Sequence, residues 1–203
     1  MPDADFFARL GLFTIKNFLS ADLCEALVRE ARSSVHAPSL TYINGASLVD
    51  DTFRRARDAR VSKQSRLMVR DRLLAIRPKL EEHFSVRLEG CEKPDFLVYN
   101  EGDFFRLHRD TGEPDDPDCP EALKRRKVSI IIFLNRHVDE YEPGCYSGGS
   151  LSLYGLIDRP LWKGYGFSLE GQPGLLIAFR SDTYHQVVPV TRGERYTIVS
   201  WFI

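Results

Sequence analysis

The sequence predicts an α+β fold in which two helices precede a β-sandwich or barrel. Three observations carry that prediction. Apolar residues recur at helical spacing before residue 90. After Gly90 the texture changes to short β-prone runs separated by turn residues. At least seven such runs fall within about 110 residues, without the alternation of strand and helix that a parallel sheet needs.

Taken in order, Leu12 to Phe18 is β-prone and ends at Leu19-Ser20. Ser20 suits a helix N-cap, because its hydroxyl accepts from an orphan helix N–H. Leu23, Ala26, Leu27 and Ala31 then predict an amphipathic helix over 21–32. Residues 35–62 hold β-prone pieces at 40–43 and 46–49, followed by Arg54, Arg55, Arg57 and Arg60. Leu67, Val69, Leu73, Leu74, Ile76, Leu80 and Phe84 predict a second helix over 64–84, which Pro78 should kink or split. Strands are expected at 95–99, 104–108, 127–134, 150–154, 175–179, 185–190 and 195–202. The acidic, Pro-rich stretch 112–119 and the stretch 136–149 read as surface loops.

The 203 residues, 43% hydrophobic and 28% charged, fit one globular domain. Residues 1–90 form its helical support layer and 91–203 its β core. Net charge is −1, which argues against gripping a nucleic-acid backbone. The longest apolar run, residues 128–134, is too short for a membrane span, and Asp3 and Asp5 stand where an export signal carries Lys or Arg. Four cysteines without a CxxC indicate free thiols in a reduced, cytoplasmic chain.

The chemistry concentrates in Tyr99-Asn-Glu-Gly-Asp-Phe-Phe-Arg-Leu-His108-Arg-Asp110. If the strand is still extended there, His108 and Asp110 point to the same face. They supply two of the three ligands of a facial triad, and His185, opening a later strand, is the best third. Two histidines and one carboxylate cap one face of an octahedral metal, which suits Fe(II) binding a cosubstrate and oxygen together. Each residue alone has a plainer reading, as a solvated HxD pair or a hydrogen-bonded core histidine. His137-Val-Asp139 repeats the spacing but sits among solvated neighbours and reads as loop.

Arg195 strengthens the constellation. A three-residue loop at Thr191-Arg192-Gly193, with Gly193 left-handed, would pair Pro189 with Arg195. His185, Val187 and Pro189 would then share a face with Arg195, Thr197, Val199 and Trp201. A guanidinium buried there needs an anion, and a dicarboxylate reaching inward from the metal would supply one.

Tyr99-x2-Gly102-x2-Phe105-x2-His108-x-Asp110, the Gly148-Gly149 pair before a strand, and the segment from His185 to Tyr196 resemble the prolyl 4-hydroxylase-type 2-oxoglutarate/Fe(II) dioxygenases. The resemblance covers residues 95–203, and the N-terminal strand and helices fit the outer layer of such enzymes. It implies a double-stranded β-helix, or jelly roll, with N-terminal helices packed on one sheet. It implies that His108, Asp110 and His185 bind Fe(II). Arg195 would hold the distal carboxylate of 2-oxoglutarate, with Tyr99 lining the pocket and Thr197 beside the carboxylate by strand parity. O2 would be consumed, and ascorbate is a possible auxiliary reductant. Two departures stand out. Phe133 occupies a central-strand position where many relatives carry a polar residue, so one hydrogen bond to the cosubstrate is expected to be missing. Arg195 stands where animal collagen-type enzymes carry Lys.

The implied activity is hydroxylation of an unactivated C–H in a prolyl residue, an amino acid or a related small molecule. The loops 112–124 and 136–149 are expected to rim the metal opening, and the Arg54–Arg60 run reads first as a solvated face. Three other readings stay open: a nucleic-acid demethylase on the same fold, a non-catalytic metal-binding module, and a zinc hydrolase using the same three ligands.

Overall fold

A computed structural model of the chain describes residues 4–43, 46–113, 115–162 and 164–203. The N-terminal part runs α1 (Ala4–Arg9), β1 (Phe13–Ile15), α2 (Ala21–Ser33), β2 (His36–Pro38), β3 (Thr41–Ile43) and β4 (Ala46–Leu48). It continues through β5 (Arg54–Arg55), β6 (Arg57–Ala59) and α3 (Lys63–Phe84). Then come β7 (Asp95–Tyr99), β8 (Phe104–His108), α4 (Glu121–Lys124), β9 (Val128–Phe133), β10 (Tyr146–Gly148), β11 (Leu151–Tyr154) and β12 (Gly166–Leu169). The chain closes with β13 (Leu176–Arg180), β14 (His185–Val187), β15 (Val190–Gly193) and β16 (Arg195–Phe202).

Two antiparallel sheets dominate. The larger has the order β1-β13-β9-β16-β7-β6-β2 and the smaller β12-β11-β14-β8-β5. From β7 onward the chain crosses between them: β7, β9, β13 and β16 lie in the larger sheet, β8, β11, β12 and β14 in the smaller. Eight strands alternating in this way make the expected jelly roll. Ile131, Phe133, Ile177 and Phe179 of the larger sheet pack against Leu151, Leu153 and Leu169 of the smaller, forming the layer between them.

The other face of the larger sheet carries the helices. Cys24, Leu27 and Ala31 of α2 and Val69, Leu73, Leu80 and Phe84 of α3 pack on Val128, Ile130, Ile132, Ala178, Ile198 and Phe202. Strand β9 is therefore buried on both faces, which explains why it is apolar at every position but Ser129. Ser20 caps α2 by accepting from the Leu23 N–H, as expected.

Three expectations change. Pro78 does not split the second helix, which runs unbroken from Lys63 to Phe84. Pro78 lies on the exposed face, where water can satisfy the carbonyl that its missing N–H leaves free. Residues 1–90 are not only helical, because β1, β2 and β6 widen the larger sheet and β5 extends the smaller one. The segment 185–190 does not pair with β16. It divides into β14, in the smaller sheet, and β15, which pairs with β10. Gly193 is left-handed as expected, with φ +79°, but it turns the chain between sheets, not within a hairpin.

Gly174 joins the N-terminal layer to the barrel. It adopts φ +75°, donates to Phe133 O, and accepts from the Phe18 N–H. A Cβ there would run into the carbonyl oxygen of the buried Leu19. Gly174→Ala should therefore cost about 2–4 kcal/mol in urea unfolding. Gly90→Ala, which meets nothing within 4 Å, should stay within about 0.5 kcal/mol.

Candidate metal centre

The site is built on one strand pairing. Strands β8 and β14 are neighbours, and His185 lies directly opposite His108. Asp110 follows the end of β8. Its own N–H and that of Thr111 both donate to Ser181 O, at 3.0 and 3.1 Å, which ties Asp110 to the turn just before β14. Three residues from distant parts of the sequence thus converge, with one ligand atom from each lying within 4.8 Å of the others. Asp110 Oδ1 is 3.6 Å from His108 Nε2, and Oδ2 is 3.5 Å from His185 Nε2.

Both imidazoles are oriented in the same way. His108 Nδ1 donates to Arg106 O at 2.7 Å and His185 Nδ1 to Thr183 O at 3.0 Å. A carbonyl only accepts, so each Nδ1 carries the proton and each Nε2 presents a lone pair to the centre. Phe105 stacks on His108 at 3.6 Å between centroids, and Phe179 packs edge-on against His185 at 4.8 Å. These rings lock the histidines and keep that side dry. Burial pushes the His185 imidazole down to about 4, with His108 adding to the effect. Burial alone would raise the Asp110 carboxyl, but the two imidazoles and a hydrogen bond from Ser129 outweigh it and hold it well below the usual carboxylate range. The donor set is two imidazole nitrogens, with His185 kept neutral by its burial, and a carboxylate, suited to a divalent transition metal bound on one face.

Arg195 and Thr197 sit deeper, on β16. Arg195 is 1% exposed, with its guanidinium between the Tyr99 and Phe133 rings at 5.0 and 5.2 Å. Tyr99 is its direct neighbour across the β16–β7 pairing. Nη1 donates to Thr197 Oγ1 at 3.2 Å, while Nε and Nη2 are buried without a partner. Among the described residues no carboxylate pairs with it, so this buried cation has donors reserved for an anion. The expected hairpin is absent, yet its conclusion holds for another reason. His185 and Arg195 occupy facing sheets, and His185, Val187, Arg195, Thr197, Val199 and Trp201 all line one cavity.

That cavity has a volume of about 700 Å³ and contains all three candidate ligands. The loop 112–124 rims it as expected, although Pro114 lies outside the described residues. The loop 136–149 does not line it. Its place is taken by the β3–β4 hairpin, from which Tyr42 donates its hydroxyl to Asp118 O across the opening. The arginine run divides. Arg57 and Arg60 are exposed, whereas Arg54 lines the cavity and lies 4.6 Å above Phe105. His137 stays apart from the three ligands, against Tyr146. Tyr146, fully buried with its hydroxyl close to the Arg195 side chain, carries no motif of its own; the Gly148-Gly149 pair beside it is the available sequence signal.

The depressed His185 pKa has a consequence for stability. Between pH of about 6.5 and about 4 the unfolded chain takes up a proton at this imidazole that the folded chain does not. Metal-free protein should therefore lose stability as pH falls through that window, and His185→Gln should flatten the slope in urea titrations. His83, also lowered by burial, should leave a smaller residual slope. An unchanged slope in the variant would contradict a buried neutral His185.

Comparisons with known proteins agree with this geometry. The sequence pattern of the 2OG-Fe(II) oxygenase superfamily matches residues 94–203. A PKHD-type hydroxylase from Sphingopyxis alaskensis is 29% identical over 145 residues, covering 71% of this chain and 57% of that protein. The chain spans about half the length of the curated relatives it matches. Among solved structures, a Pseudomonas putida prolyl-4-hydroxylase superposes with TM-score 0.69 at 25% identity, covering 98% of this chain and 95% of that one. A Trichoplax adhaerens prolyl hydroxylase, solved with a hypoxia inducible factor peptide fragment, shares the fold with TM-score 0.68 at 18% identity, covering 98% and 88%. With the match extending over more than half its length and ending on the strand that carries Arg195, the chain belongs to the 2OG-Fe(II) oxygenase superfamily.

Proposed function

We propose that this chain is a 2-oxoglutarate- and Fe(II)-dependent dioxygenase that hydroxylates an unactivated C–H, with residues 1–203 acting as one catalytic domain. A single observation carries the reading: three preoriented metal donors share a cavity with a buried guanidinium whose Nε and Nη2 have no partner. A zinc hydrolase would use the donors but has no need of that cation. A non-catalytic module would need neither kept in working order. The net charge of −1 speaks against a demethylase acting on nucleic acid.

In this reading His108, Asp110 and His185 hold Fe(II), and the unpartnered donors test whether 2-oxoglutarate fits. Arg195 and Thr197 would take its distal carboxylate and Tyr99 would form the wall beside it. The iron, when bound, supplies oxygen activation coupled to decarboxylation of the cosubstrate, so that RH, 2-oxoglutarate and O2 become ROH, succinate and CO2. The chain's own contribution is positional. Arg106 O and Thr183 O keep both imidazoles turned inward, Phe105 and Phe179 exclude water from their backs, and Arg195 fixes the direction from which the cosubstrate reaches the metal.

The substrate we propose is a prolyl residue in a peptide, with a free amino acid or related small molecule as the second choice. The roomy cavity under a two-sided rim and the peptide complex of the Trichoplax relative support the first. Ascorbate would serve as an auxiliary reductant. A cytoplasmic setting accords with four free cysteines, and among the described residues no helix is long and apolar enough to cross a membrane.

Oxygen-free Fe(II) and 2-oxoglutarate together should give a weak visible absorption band, and its absence in metal-loaded protein would count against the proposal. His108→Ala should abolish iron binding. Arg195→Ala should leave iron in place but weaken 2-oxoglutarate about 10- to 100-fold, as for loss of a charge-assisted pair. Equal loss of both would make Arg195 structural. Succinate release with a panel of prolyl peptides and free amino acids identifies the substrate class.

A further inference from the structure

The reading above leaves one buried polar group beside the cosubstrate pocket without a role. Tyr146, on β10, is completely buried; its hydroxyl makes no hydrogen bond of good geometry, and the groups nearest it, the Arg195 side chain and the Gly171 N–H, are both donors, so its own proton has no acceptor. A buried O–H without an acceptor costs stability, so the fold keeps it at a loss unless a ligand completes it.

Its surroundings identify that ligand. Tyr146 and Arg195 flank the same glycine: a Cβ on Gly149 would meet Arg195 Cδ at 3.1 Å and Tyr146 Cε2 at 3.4 Å. The phenol, pushed up by burial, is pulled back first by the Arg195 charge and then by the Arg195 and Gly171 N–H donors beside its oxygen, as expected for a group close to the guanidinium. On the other side, a Cβ on Gly171 would overlap the Tyr146 hydroxyl and come within 2.6 Å of Phe133 Cδ1. Glycine at 171 lets the hydroxyl and the Phe133 ring close together over one spot. Phe133 contributes no polar atom, so besides the Thr197 hydroxyl the donors gathered around the guanidinium are Arg195 Nε, Arg195 Nη2 and the Tyr146 O–H, all three buried and none with a well-placed acceptor.

We propose that Tyr146 is a cosubstrate-positioning and specificity-determining residue, whose hydroxyl donates to the carboxylate that Arg195 holds. This rests on the assignment of 2-oxoglutarate to the Arg195 pocket. A carboxylate offers about four lone-pair sites, enough for the guanidinium fork and one further O–H. The added donor acts only on a 2-oxo acid with a second, distal carboxylate. It therefore selects the dicarboxylic cosubstrate over shorter 2-oxo monoacids and does not touch the metal.

The test is calorimetric titration of 2-oxoglutarate and of 2-oxobutyrate into Mn(II)-loaded wild type and Tyr146→Phe. Phe fills the same space, so the fold should survive. Because the O–H has no acceptor without ligand, the melting temperature of the ligand-free variant should stay the same or rise. The variant should bind 2-oxoglutarate about 10- to 100-fold more weakly, the loss expected of one hydrogen bond to a charged group. Its affinities for 2-oxobutyrate and for Mn(II) should be unchanged. In turnover, KM for 2-oxoglutarate should rise while kcat at saturation holds. Unchanged affinity for 2-oxoglutarate would overturn the proposal, as would equal weakening of both acids or a lowered melting temperature, which indicate a structural role. Wild type that binds no 2-oxoglutarate would instead bring down the underlying functional reading, a result distinct from a normal wild type with an unaffected variant.

Discussion

The antiparallel pairing of β8 with β14 is the constraint on which the site depends. It sets His185 opposite His108, and the Ser181 carbonyl, accepting from Asp110 and Thr111, holds the carboxylate at the end of the same pair. A one-residue slip would turn an imidazole to the other face of the sheet. The register is protected by burial. Val187 faces Phe105 across the same two strands, and both lie against the inner core that includes Leu97 and Tyr99. The remaining architecture keeps this pair fixed: β11 flanks β14, β5 flanks β8, and the helices load the far side of the larger sheet.

A second constraint is electrostatic. The jelly roll closes one end around a cation, Arg195, to which no carboxylate among the described residues is a counter-ion. Two aromatic faces and Thr197 compensate part of the cost, and an anionic ligand would offset the rest. The cavity is thus polarised, with two imidazoles and one carboxylate at the metal end and a guanidinium at the inner end. A dicarboxylic 2-oxo acid that chelates at one end and pairs at the other matches this arrangement in both charge and direction.

The convergence of His108, Asp110 and His185 and the place of Arg195 in the same cavity are legible in the sequence because local sequence carries these residues. His108-x-Asp110 ends one strand, His185 opens another, and Arg195 begins the last. The partner of each strand was not legible, since pairing is decided by contacts far apart in the chain. The segment containing His185 was assigned to a hairpin with Arg195, whereas β14 pairs with β8 and β11 and the two residues meet across the barrel. Strand β12 escaped notice because Gly166 and Ser168 break its β pattern, and the strand is recognisable only by its pairing with β11. The split at Pro78 does not occur, because its cost depends on which face of the helix it occupies. The hydrogen bond expected to be missing at Phe133 shows the same limit, for Tyr146 brings a hydroxyl beside that ring from a different strand.

The most direct measurement is anomalous diffraction from crystals grown without oxygen in Fe(II) and 2-oxoglutarate. The account predicts one strong peak at the iron edge, bonded to His108 Nε2, His185 Nε2 and the Asp110 carboxylate, with the far carboxylate of the 2-oxo acid against Arg195. Metal located elsewhere on the chain, or those three side chains turned away from a common centre, would contradict it.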